Sequence, residues 1–205
     1  MNVTTTPALS VAHLPTTLYK NKAPLWWGIV LALIVESTAF VLLFASLFYL
    51  RLQEATWPPW GWSAPQITYG TVNLFLILLT AWPQRRIDID ARRLDRSSVV
   101  RMLVVFFVAS AVVLVFRWFE FVGLQVKWDS NAYGSIVWAI LTIHSVHFVT
   151  SLAETALVAV YVFRRPLDEK HALDLHVGAV YWYFVVGSFV PVYILIYLGP
   201  YLLNS

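Results

Sequence analysis

Six side chains in this sequence could hold, move or pair charge inside otherwise apolar stretches. Glu36 lies near the middle of the run Pro24–Leu50, Arg117 and Glu120 lie in a second run, and His144, His147 and Glu154 lie in a third. A carboxylate at the centre of a membrane-crossing helix costs roughly 2.5–3.5 kcal/mol on insertion scales, so each of these groups must face protein or water rather than lipid. Arg117 and Glu120 stand three apart, which puts them on one helix face at pairing distance. His144, His147, Ser151 and Glu154 follow a three, seven, ten spacing that draws a polar stripe down one helix. Glu36 has no basic residue on its own helix, and a carboxyl placed that way is a candidate for carrying protons. The plainer alternative for the Arg117–Glu120 pair and for the two histidines is a set of interhelical hydrogen bonds that holds a bundle together.

The elements that must position these groups follow from composition. The chain is 60% hydrophobic and 12% charged, which excludes an ordinary water-soluble domain. Ten Trp and ten Tyr, many near the ends of the apolar runs, fit aromatic belts at headgroup level. The predicted fold is all-α and polytopic, with five spans near Pro24–Leu50, Gln66–Trp82, Val99–Val126, Tyr133–Phe163 and His176–Leu198. Residues 1–23 form a polar N-terminal segment without the apolar core of a cleavable signal, and residues 24–205 form a single transmembrane domain. Gln66–Trp82 is the shortest span, and without it the termini would share a side. The stretch Gln84–Arg101 reads as a charged connector, and Trp57-Pro58-Pro59-Trp60-Gly61-Trp62 as a rigid interfacial anchor.

Basic residues set the orientation. Lys20 and Lys22, then Arg85 to Arg101, then Arg164, Arg165 and Lys170 fall on one side of a five-span chain, against only Arg51 and Lys127 on the other. The rule that positive loops stay inside places the N-terminus in the cytoplasm and the C-terminus in the periplasm of a bacterial inner membrane. Counting ~1.5 Å per residue from the cytoplasmic ends puts Glu36 at ~18 Å, Glu154 at ~14 Å and His147 at ~24 Å depth. Arg117, Glu120 and His144 fall deeper, at ~27–31 Å. Two layers are therefore expected, Glu36 with His147 and Glu154, and Arg117 with Glu120 and His144.

The chain contains no Cys, which removes disulfides, thiolate metal sites and covalent haem attachment. A metal at His144 and His147 needs further ligands from other helices, and a bis-His haem has no second His at membrane depth, so no metal site is expected. No catalytic residue and no nucleic-acid partner is expected either.

The same residues, in this order, resemble the subunit III family of haem–copper terminal oxidases. The first span, from Trp26-Trp27-Gly28 through Val35-Glu36-Ser37 to Phe44-Ala45-Ser46-Leu47-Phe48-Tyr49, is similar to the family's glutamate-bearing helix. Asn73 with Leu78-Leu79-Thr80 resembles its Asn-then-Leu-Leu-Thr segment, and Glu120 followed by Tyr133-Gly134-Ser135 repeats another of its spacings. His144-Ser145-Val146-His147 resembles its His-Gly-x-His signature, and Tyr181-Trp182-Tyr183-Phe184-Val185 its closing Tyr-Trp-His-Phe-Val. The resemblance extends from Trp26 to Tyr201. It implies a non-catalytic subunit of the cytochrome c oxidase type, in the short five-helix form, with no cofactor of its own. Haem and copper would sit in partner subunits, with subunit I the main contact, subunit II in the same complex, and phospholipid bound. It further implies that the chain stabilises subunit I and supports proton uptake, with Glu36 as the protonatable group and Asn73 in the buried polar network.

The sequence departs from that pattern at Tyr183, where the family has His, and at Val186, where Asp usually follows. Ser145 replaces the signature Gly, and Phe148 follows the second His. A buried His and Asp lost together leave no stranded partner, so the fold need not suffer. The departures put a proton-linked role of the fifth span in doubt and point to a divergent branch. Accessory proteins of nitric oxide reductase or another respiratory complex, and an independent proton pathway, stay open as alternatives.

Overall fold

The computed structural model describes residues 24–59 and 61–202. Five long helices fill it, and no strand occurs among the described residues. They are α1 (Pro24–Gln53), α2 (Ile67–Arg92), α3 (Arg96–Val122), α4 (Ala132–Arg164) and α5 (Glu169–Tyr193). A π-helical turn, Ile194–Leu198, and a short α6, Gly199–Leu202, continue α5. The expected polar segment 1–23 lies outside the described residues.

Four of these segments are long and apolar enough to cross a bilayer: α1, α3, α4 and the continuous stretch Glu169–Leu202. Helix α2 does not reach that level, because Asn73, Thr80 and Gln84 interrupt its apolar stretch. All three are buried, so α2 hides its polar atoms against α3 and α5 rather than presenting a wholly apolar surface. Helix α1 is the opposite case. Only its Phe40 and Leu47 are buried, while Leu31, Ile34, Val35, Val41, Leu42 and Tyr49 stand exposed. It leans on α4 and α5 at the edge of a bundle built by α2 to α5.

The segment Gln84–Arg101 is not the open connector that its charges suggest. Helix α2 runs on to Arg92, and only Arg93 to Asp95 intervene before α3. The reason is a buried stripe at helical spacing, Pro83, Ile87 and Ala91, which packs beside Val99 of α3. Arg92 and Asp88, one turn apart, pair at 2.9 Å. Leu94 then takes a left-handed conformation (φ 55°) that ends the helix, and Asp95 caps α3 by accepting from the Ser98 backbone N–H.

The fifth helix likewise starts earlier than its apolar run, at Glu169. Asp168 caps it by accepting from the His171 N–H at 2.9 Å. Between these helices, Arg96 at the start of α3 donates to the carbonyls of Val162, Phe163 and Arg165. A guanidinium there satisfies orphan carbonyls at the end of α4 and complements that end's partial negative charge. These contacts bring the start of α3 and the end of α4 together at one end of the bundle, where Arg92 of α2 also meets His176 of α5.

At the opposite end, Trp57 is not an interfacial anchor. It is buried (1% exposed) with its ring set edge-on to Tyr133 at 4.9 Å, because the loop folds back onto the start of α4. Trp62 keeps part of its surface exposed, and Trp60 lies outside the described residues.

Candidate functional site

Within the apolar stretches the polar side chains gather at two places. The first draws on four segments. Arg117 and Glu120 of α3 pair at 2.8 Å, with side chains 5% and 0% exposed. Glu120 also accepts from the Tyr197 hydroxyl at 3.0 Å and from the Asn73 amide of α2. The Arg117 guanidinium reaches Nδ1 of His144 at 3.0 Å and lies 4.5 Å above the Phe189 ring. Nε2 of His144 faces the Val185 carbonyl at 2.9 Å. A carbonyl only accepts and a guanidinium only donates, so His144 is the neutral tautomer with its proton on Nε2. Both ring nitrogens are thus engaged, and neither is free for a metal.

The local backbone prepares this site. Pro191 withholds an N–H from the last turns of α5, and the ladder widens into the π turn that carries Tyr197 inward. Tyr197 fits because Gly70 faces it: a Cβ there would lie 2.6 Å from the Tyr197 ring. The arrangement gives Glu120 two hydrogen-bond donors, Asn73 and Tyr197, and the Arg117 guanidinium as its ion-pair partner.

The second place joins α1, α4 and α5. Glu36 accepts from the Tyr181 hydroxyl at 3.0 Å, and its other carboxyl oxygen lies 3.6 Å from Nε2 of His147. Nδ1 of His147 meets the Ile143 carbonyl of its own helix at 2.6 Å, which requires the ring proton on Nδ1. Nε2 then faces Glu36 as a bare lone pair. The 3.6 Å separation is an ion pair only when a proton also stands on Nε2, so the contact places a carboxyl beside a ring nitrogen able to take up a proton.

The structure thus brings together Arg117, Glu120, His144 and Asn73, and separately Glu36 and His147. Glu154 belongs to neither hydrogen-bonded group. It makes no hydrogen bond or ion pair among the described residues, yet its charge is close enough to act on Glu36 and Tyr181. Phe40, buried between the two groups, sits 5.4 Å from the His147 ring and 6.4 Å from that of His144, so an aromatic ring divides them.

Tyr181, Tyr197, Phe40 and Gln84 were not singled out as site residues by the sequence. A tyrosine in an apolar run reads the same whether it anchors at headgroups or donates to a buried carboxylate. Only partners from distant helices distinguish the two. The departures from the family pattern are also placed: Val186 is buried in apolar surroundings, Phe148 packs on Trp182 at 4.9 Å, and Ser145 donates to the Leu141 carbonyl.

A third polar group lies where the charged helix ends meet. Asp88 receives His176 at 2.9 Å and Arg92 from one turn away. Burial pushes the Asp88 carboxyl upward, but hydrogen bonds and charge from His176 and Arg92 outweigh it and hold the group below its ordinary value.

Comparison with known proteins points one way. No family model matches the chain. A protein of a Synechocystis species named cytochrome c oxidase subunit 3 is 22% identical over 176 residues, which covers 84% of this chain and 74% of the relative. One of the same name from Thermostichus vulcanus is 22% identical over 174 residues, covering 83% of this chain and 85% of the relative.

Proposed function

We propose that this chain is a non-catalytic accessory subunit of a proton-pumping haem–copper terminal oxidase of the cytochrome c oxidase type, in the short five-helix form. The observation that carries the reading is the conjunction of chain-long similarity to two such subunits with the convergence of Asn73, Glu120 and His144. These residues come from separate stretches of sequence, and they meet in one buried cluster.

In this reading α2 is a fifth span, its polar face covered by α3 and α5, with the N-terminus cytoplasmic and the C-terminus periplasmic. The basic residues around the α2–α3 turn and the α4–α5 loop support that orientation through the positive-inside rule. The chain stabilises subunit I by covering one of its flanks, with subunit II in the same complex and phospholipid on the remaining apolar faces. Haem and copper belong to the partner subunits, and no cofactor sits in this chain. The Arg117–Glu120 cluster locks the helices. Glu36, with His147, is the protonatable group that supports proton uptake.

Isolation of the tagged chain from its native membrane in mild detergent, with mass spectrometry and a reduced-minus-oxidised spectrum, tests this. Haem absorption together with a large His-rich subunit is the expected result. A colourless preparation overturns the reading, and a haem-bearing partner of the nitric oxide reductase type would reassign the complex.

A further inference from the structure

A cavity of about 360 Å³ opens among α1, α2, α4 and α5 at the end of the bundle where α1 and α5 begin. Leu25, Gly28 and Ala32 form its α1 side, Glu154 and Val158 its α4 side, and Asp174 and Gly178 its α5 side. Its volume matches on the order of ten waters at ~30 Å³ each.

Helical spacing carries each wall inward to the same point. On α1, Gly28, Ala32 and Glu36 stand four apart on one face. On α4, Val158 and Glu154 lead through Ser151 to His147, and on α5, Asp174 and Gly178 lead to Tyr181. The three walls therefore converge on the Glu36–His147–Tyr181 group. Glu154, Asp174 and Gln84 supply polar groups to a lining that is otherwise mostly apolar. Gln84 lines it, is 1% exposed, and has its Oε1 buried without a hydrogen-bond partner. Above Glu36 the route stops, because Phe40 fills the space between His147 and His144 and touches Phe184 on its other side.

We propose that this cavity is a hydrated half-channel in which Glu154 passes protons from the bundle end to the Glu36–His147 pair, with Phe40 as its closed end. The inlet deepens the proton-supporting role of Glu36 and rests on that reading. The balance of the step is simple: a proton from cavity water moves to the Glu154 carboxylate, and from there through water to the Glu36–His147 pair, with no other bond changed.

The chain has no Cys, so single introduced thiols report cleanly. Val158→Cys and Ala32→Cys line the cavity, and Val160→Cys, exposed on the outside of α4, is the control. A charged methanethiosulfonate attacks the thiolate, which forms only where water reaches, so the two lining thiols in native membranes should react roughly tenfold or more faster than the control. Infrared spectra then follow deuterium exchange of the carboxylic acid band that Glu36→Gln removes. Glu154→Gln should slow that exchange by on the order of a hundredfold, the lower end of what one positioned proton-transfer group contributes. Lining thiols as inert as the control, or exchange unaffected by Glu154→Gln, overturns the inlet. Absence of any Glu36 acid band while the lining thiols still react overturns the reading of Glu36 as the proton holder.

Discussion

The Arg117–Glu120 cluster and the Glu36–His147 pair each set a glutamate beside a basic side chain, yet the first is almost wholly buried and the second keeps part of its surface exposed. Glu120 has two hydrogen-bond donors and an ion pair with Arg117, and His144 spends one nitrogen on a guanidinium and the other on a carbonyl. Glu36 has one hydroxyl donor and a second oxygen facing a histidine lone pair. The difference comes from neighbours, since among the described residues a permanent cation pairs with Glu120 and none pairs with Glu36. A buried carboxylate that is fully paired holds helices in place, and one that is partly paired retains protonation chemistry.

Substitutions can break that contrast. The largest effect should come from Glu120→Gln, which leaves the Arg117 charge buried without its counterion. A loss of about 3–5 kcal/mol is expected for a broken buried pair. Thermal unfolding in detergent should show a large drop in midpoint, and replacing Arg117 and Glu120 together by apolar residues should recover much of it. Tyr197→Phe removes one donor and keeps the ring packed, so a smaller cost of about 1–3 kcal/mol is expected in the same assay. If Tyr197→Phe were as damaging as Glu120→Gln, the ion pair would not be the centre of the cluster.

Glu36→Gln should leave stability nearly unchanged, because the amide keeps a hydrogen-bond acceptor for Tyr181 and offers its N–H to the His147 lone pair. The variant should instead slow proton uptake by the complex, measured by a pH-sensitive dye during turnover. The smallest effect belongs to Asp88, at the charged end of α2 beyond its apolar stretch. Its folded carboxyl is held below the ordinary 3.8, so its stabilising share is present above that value and is lost as pH falls through the lower folded one. Asp88→Asn should therefore lower stability modestly at neutral pH and flatten the acid limb of the stability–pH curve, with wild type and variant converging at low pH.

Much of the bundle is readable from the chain because the cause is local. Apolar length gives α1, α3 and α4, and the three-residue spacing gives the Arg117–Glu120 contact. The extension of α2 to Arg92 was not readable as helix, because its charges resemble a solvated linker. The stripe Pro83, Ile87 and Ala91 shows its meaning only once Val99 packs beside it. Trp57 misleads in the same way, since burial against Tyr133 depends on a loop folding back. Tyr181 and Gln84 gain their roles entirely from other helices, and no spacing within their own segments reveals them.

The most direct test of the account isolates tagged wild-type, Glu36→Gln and Glu120→Gln chains from the native membrane and compares the haem that accompanies each. The account predicts oxidase haem with the wild type, an equal yield with Glu36→Gln, and loss with Glu120→Gln. A haem-free wild type would contradict the accessory-subunit reading. Equal loss of haem in both variants would contradict the division between a lock and a proton-holding pair.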